Sequence, residues 1–123
     1  MNVINFQFGS KNRRGKIIEL SENSFRLDYY DTNEKDSSYE FLSSNGFQGG
    51  GPSWAGIIYG LIKLKDEKIL NQIDLDPESD GLAVWCSKRL PLEKISTFID
   101  EAKKDQSLLI EAIEIAKADS QME

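Results

Sequence analysis

Asn45-Gly46-Phe47-Gln48-Gly49-Gly50-Gly51-Pro52-Ser53-Trp54 sets four glycines within six residues directly ahead of a helix signal. Pro52 suits a first helical turn, where backbone N–H groups have no intrahelical acceptor. Trp54, Ile57, Ile58, Leu61, Ile62 and Leu64 then recur at helical spacing as a broad apolar face. Glycine loses more backbone entropy on folding than any other residue, so a cluster of it in an ordered domain marks a required backbone shape. The stretch predicts a tight entry into a helix that starts at Pro52 or Ser53, runs to about Leu64, and anchors Trp54 in the core. Gly56 and Gly60 lie on one side of that helix. Each weakens it by roughly 1 kcal/mol relative to alanine, so their presence predicts another element packed close on that side.

On the N-terminal side, residues 2–8 alternate, with Ile4, Phe6 and Phe8 facing one way, and predict a strand. Residues 15–20 and 24–30 read as a hairpin joined at Ser21-Glu22-Asn23, with Phe25, Leu27 and Tyr29 turned to the core. Asp36 or Ser37 caps a short helix carrying Tyr39, Phe41 and Leu42, which Asn45-Gly46 ends. On the C-terminal side, residues 72–76 and 81–87 read as strands of a second hairpin around the turn residues 77–81. A helix from Pro91 carries Leu92, Ile95, Phe98, Ile99 and Ala102. A last helix from Asp105 or Ser107 carries Leu108, Leu109, Ala112, Ile113 and Ala116, and residues 119–123 read as a frayed tail. The order predicts an α+β fold: an antiparallel sheet of about five strands with helices packed on one face, in a single domain spanning residues 1–123.

At 123 residues and 39% apolar composition the chain can bury a core without staples. No apolar run approaches the roughly 20 residues of a membrane span, and the N-terminus lacks a basic segment before an apolar core, so a cytoplasmic protein is expected. The absence of histidine excludes Ser-His-Asp and Cys-His sites and Cys/His zinc sites. The single cysteine, Cys86, lies in the strand-like run Leu82-Ala83-Val84-Trp85-Cys86 and reads as a small core hydrophobe.

Net charge is −6 and unevenly spread. Residues 27–45 carry Asp28, Asp31, Glu34, Asp36 and Glu40 against Lys35, and residues 66–80 carry Asp66, Glu67, Asp74, Asp76, Glu78 and Asp80 against Lys68. Such a surface repels nucleic acid and attracts basic partners, or simply keeps the protein soluble. The run Lys11-Asn12-Arg13-Arg14 is too short for a nucleic-acid footprint. Alternate carboxylates at Asp74, Asp76, Glu78 and Asp80 hint at calcium. Pro77 and the lack of a closing glutamate break that pattern, leaving a solvated turn or a docking surface; no metal or cofactor is expected. The glycine segment is not followed by G-K-[ST] and does not follow a parallel strand, so it reads first as structure; the alternative is a small α+β binding module for another protein, or for a small anion at this helix entry. Nothing marks a pocket that would tune a carboxylate pair for catalysis, so a non-enzyme is expected.

The element G-F-x-G-x-G-x-x-W, present as Gly46-Phe47-Gln48-Gly49-Gly50-Gly51-Pro52-Ser53-Trp54, resembles the bacterial immunity protein family 51. A downstream short strand, the Asp76-Pro77-Glu78 turn, an aromatic-bearing strand and a helix are similar to that family's layout, over roughly residues 39–116. The resemblance implies a binder that neutralises a cognate toxin; the acidic surface adds the expectation that the toxin is basic and is blocked by occlusion and charge complementarity. On that reading Gly46, Phe47, Gly49, Gly50, Gly51 and Trp54 hold the scaffold. Asp28, Asp31, Asp36, Asp74, Asp76, Glu78 and Asp80 are candidate contacts, with Tyr30 and Tyr39 as aromatic anchors.

Overall fold

A computed structural model describes residues 13–30, 32 and 34–123. Its elements in chain order are β1 (Lys16–Ser21), β2 (Ser24–Tyr29), α1 (Ser37–Ser44), α2 (Gly51–Lys65), a 3-10 segment (Glu67–Gln72), β3 (Ile73–Glu78), β4 (Gly81–Cys86), α3 (Arg89–Lys104) and α4 (Gln106–Ala118). Both predicted hairpins form. They join through antiparallel pairing of β2 with β4 into one four-stranded sheet of order β1-β2-β4-β3. The architecture is α+β as expected, but the sheet has four strands among the described residues rather than about five. The strand expected over residues 2–8 lies outside them.

Alternation along the strands decides which face is dry. Leu27 and Tyr29 of β2 and Leu82, Val84 and Cys86 of β4 are buried together with Trp54, Ile57, Ile58, Leu61 and Ile62 of α2 and Leu92, Ile95 and Ile99 of α3. Each such large side chain, fully withdrawn from water, contributes about 1.5–3 kcal/mol. Helices α2 and α3 lie against the sheet, and α4 packs chiefly on α2. Trp54 sits at the centre, 1% exposed, with its ring edge-on to Tyr29 at 5.6 Å. Cys86 is buried, as expected of a core hydrophobe.

The caps follow the sequence closely. Asp36 caps α1 by accepting from the Tyr39 N–H, and Asp105 caps α4 by accepting from the Ser107 and Leu108 N–H groups. α1 ends at Asn45, where Gly46 takes φ +86° and the Gly46 and Phe47 N–H groups donate to the Ser43 and Leu42 carbonyls. This is the left-handed helix stop that glycine adopts at least cost. β3 runs on through Pro77 to Glu78, leaving only Ser79-Asp80 as the turn instead of the expected 77–81. Among the described residues β3 is an edge strand, one of the places in a sheet where proline's missing donor is tolerated.

The residues after α4 are not frayed. Ser120 takes φ +58°, and the Gln121 N–H donates to the Ala116 carbonyl at 2.7 Å, which turns the chain back over α2. Gly56 and Gly60 are where this matters. A Cβ on Gly60 would stand 2.0 Å from the Ala112 carbonyl oxygen of α4, and one on Gly56 would stand 2.7 Å from Met122 Sδ. The close approach predicted from their spacing is thus made by α4 and by the segment behind it.

Candidate partner-binding face

The same alternation that buries Leu27 and Val84 turns their neighbours outward. Pairing aligns Arg26 with Trp85 and Trp85 with Asp74, and in the next row Asp28 with Ala83 and Ala83 with Asp76. These residues share the sheet face opposite the helices. Trp85 is 36% exposed and Tyr30, just past β2, is 43% exposed. Among the described residues no helix packs on this face.

The face is preorganised at its centre and acidic at its edge. The Arg26 guanidinium stands 5.3 Å from the centre of the Trp85 ring. Its Nε and Nη2 donate to the two carboxylate oxygens of Asp28 at 2.6 and 3.0 Å, a bidentate pair that fixes the stacked geometry. Asp74 and Asp76 are exposed and have no ion pair among the described residues. Glu78 accepts only a long hydrogen bond, 3.5 Å, from the Tyr30 hydroxyl. Desolvation, then the nearby charges of Glu78, Asp28 and Asp76, push the Tyr30 phenol above its usual pKa. The Tyr30 ring lies over Gly81, where a Cβ would come within 2.2 Å of it.

Of the residues singled out in the sequence, Asp28, Tyr30, Asp74, Asp76 and Glu78 come together here. Asp80 is at the exposed tip of the β3–β4 turn beside them, and its carbonyl accepts from the Thr32 hydroxyl. Asp36 and Tyr39 do not belong to the face. Asp36 is bound to Lys103 Nζ at 2.7 Å and to the Ser38 hydroxyl, so it is structural rather than a solvated charge. The Tyr39 ring packs on the Gly49 backbone. Asp31 lies outside the described residues. Trp85 and Arg26 were missed in the sequence, although alternation against Leu82, Val84 and Cys86 points Trp85 outward.

Each glycine of the 46–51 segment has its own structural task. Gly49 takes φ +85° against Tyr39. Cβ atoms on Gly50 and Gly51 would stand 2.1 Å from the Ser79 carbonyl oxygen and 1.9 Å from that of Glu78, so the segment rests directly on the β3–β4 turn. Donors at this helix entry are already engaged inside the chain. The Gln48 N–H donates to Glu123 Oε2 at 3.0 Å, the Ser53 hydroxyl donates to Glu123 Oε1, and the Gly51 N–H reaches the Ser79 carbonyl. An external anion here has to displace Glu123.

A cleft of about 580 Å³ beside α3 includes Asp100 and Glu101, but Asp100 is paired with Arg14 and Lys104, and Glu101 with Lys65. Among the described residues no group of Cys, Asp and Glu is arranged to hold a metal ion, and no helix is long and apolar enough to cross a membrane.

Fold and face together define a small α+β domain with helices on one side of its sheet and a charged, aromatic surface on the other. The model of the immunity protein 51 family matches residues 17–118, and the chain belongs to that family. No curated protein and no solved structure matches it.

Proposed function

We propose that this protein is an immunity-type protein that binds and neutralises a cognate bacterial toxin in the cytoplasm of the cell that makes it, and that it acts as a binder and not as a catalyst. The toxin surface it meets is basic, and inhibition works by occlusion and charge complementarity. The observation that carries this reading is the sheet face opposite the helices, where Asp74, Asp76 and Glu78 stand without cationic partners among the described residues, beside the exposed rings of Trp85 and Tyr30. Unpaired carboxylates steer a basic partner and raise its association rate. A rigid aromatic flanked by them is the residue type that dominates binding energy at interface centres. Membership of the immunity protein 51 family supports the same reading.

The experiment is co-expression with a candidate toxin taken from the neighbourhood of this gene, scored by survival, together with calorimetric titration of the two purified proteins. Protection with a stoichiometric complex is expected. Survival without a complex, or a complex without protection, overturns the proposal.

A further inference from the structure

The segment behind α4 touches the helix entry that supports the acidic turn, and these contacts form a continuous chain. Glu123 takes the Gln48 N–H and the Ser53 hydroxyl, and Ser53 Oγ in turn accepts from the Gly49 N–H at 2.9 Å. Ser53 is fully buried, so its hydroxyl depends on these partners. A carboxylate at this end of α2 also lies at the positive end of the helix dipole. Met122 seals the arrangement by lying on Gly56, where no side chain leaves room for another. From the clasped loop the contact passes to the hairpin: Gly50 and Gly51 meet the Ser79, Glu78 and Gly81 carbonyls, and the Gly51 N–H donates to the Ser79 oxygen.

We infer that Glu123 is a positioning residue for the β3–β4 turn: by fixing residues 48–53 it fixes the seat on which Ser79-Asp80 rests, and so sets where Glu78 and Asp80 stand on the open face. Its contacts are with the loop, and it acts on the turn through Gly50 and Gly51. The value of this for binding rests on the function proposed above; the mechanical coupling does not.

Hydrogen–deuterium exchange on the full chain tests the coupling, comparing Glu123→Lys and Ser53→Ala with Glu114→Lys, the same charge change at an exposed α4 position. In the first two variants, exchange over residues 46–53 and over residues 77–82 is expected to quicken on the order of tenfold, with residues 16–29 and 89–104 unchanged. Glu114→Lys is expected to leave all four segments as they are. Faster exchange confined to 46–53, equal acceleration everywhere, or no change overturns the inference. A double-mutant cycle with the toxin tests the consequence: Glu123→Lys weakens binding of the parent chain but adds nothing on top of Glu78→Gln with Asp80→Asn. Additive losses overturn the positioning role. A chain that shows the exchange pattern but no toxin binding at all overturns the proposed function and leaves the clasp standing.

Discussion

Lys103 Nζ lies 2.7 Å from Asp36 Oδ2, and the lysine side chain is only 2% exposed. The same ammonium reaches Glu34 Oε1 at 3.2 Å and stands 5.5 Å from the centre of the Trp54 ring. One buried cation therefore ties the cap of α1 and the loop before it to α3, at the tryptophan that anchors the core. Removing one member of a buried pair leaves the other charge uncompensated, which costs 3–5 kcal/mol when both are fully buried. Here the carboxylates keep some water, so Lys103→Met is expected to cost about 2–3 kcal/mol. Asp36→Asn retains the cap and leaves Glu34 on the lysine, so about 1 kcal/mol is expected. Urea unfolding of both variants measures this; a Lys103→Met loss no larger than that of Asp36→Asn would contradict the role given to the buried cation.

The same pair gives a pH dependence. Burial alone raises the Asp36 pKa, but hydrogen bonds from Lys103, Ser38 and the Tyr39 N–H outweigh it and hold the carboxyl well below the ordinary carboxylate range. A folded-state pKa below the unfolded value of about 3.9 stabilises the protein above that pH, and the contribution is lost as pH falls through it toward the folded value. Unfolding free energy is thus expected to decline below about pH 4 more steeply in the parent than in Asp36→Asn, which has no carboxyl to protonate there. Parallel slopes for the two chains would contradict the assignment.

The glycine segment separates into positions with different costs. Gly51→Ala forces a Cβ to 1.9 Å from the Glu78 carbonyl and is expected to cost about 3 kcal/mol, the top of the range for overpacking. Gly46 has nothing within 4 Å of its would-be Cβ, so Gly46→Ala pays only for the left-handed backbone, about 1 kcal/mol. Gly60→Ala is the sharpest case: helix propensity alone favours alanine by about 1 kcal/mol. The Ala112 carbonyl 2.0 Å from the new Cβ reverses the sign and pushes α2 and α4 apart. Thermal unfolding of the three variants ranks them; a Gly60→Ala more stable than the parent would refute the packing argument.

Periodicity made the helices and both hairpins legible, because each buries a stripe or an alternate row that local spacing records. The union of the hairpins through β2 and β4 was not legible, since pairing between Leu27 and Val84 has no local signature. Pro77 reads as a turn residue because residues 77–81 carry turn chemistry, and its place on a strand at the edge of the described sheet is what admits it to β3. Acidic residues could be counted but not sorted. The cap role of Asp36 is legible from its place before a short helix, but its ion pair with Lys103 is not, whereas Asp74 faces water. The docking of Glu123 on Gln48 and Ser53 joins residues 75 and 70 apart and left no trace in the spacing of either segment.

The open face makes the last prediction, and its two components separate kinetically. Asp74→Asn with Asp76→Asn removes charges that have no ion pair among the described residues, so fold stability is expected to stay within about 0.5 kcal/mol. Association with the toxin is expected to slow on the order of tenfold and to lose part of its salt dependence, because exposed charges act chiefly on encounter. Trp85→Ala removes the stacked anchor held by Arg26 and Asp28, and is expected to cost about 2 kcal/mol of affinity through faster dissociation. Stopped-flow association and surface-plasmon dissociation rates distinguish the two, with Glu111→Lys on the exposed side of α4 as reference. A reference variant that weakens binding while the sheet-face variants do not would move the contact to the helical side. The partition into a steering edge and a gripping centre holds only if charge removal changes the on-rate and ring removal changes the off-rate.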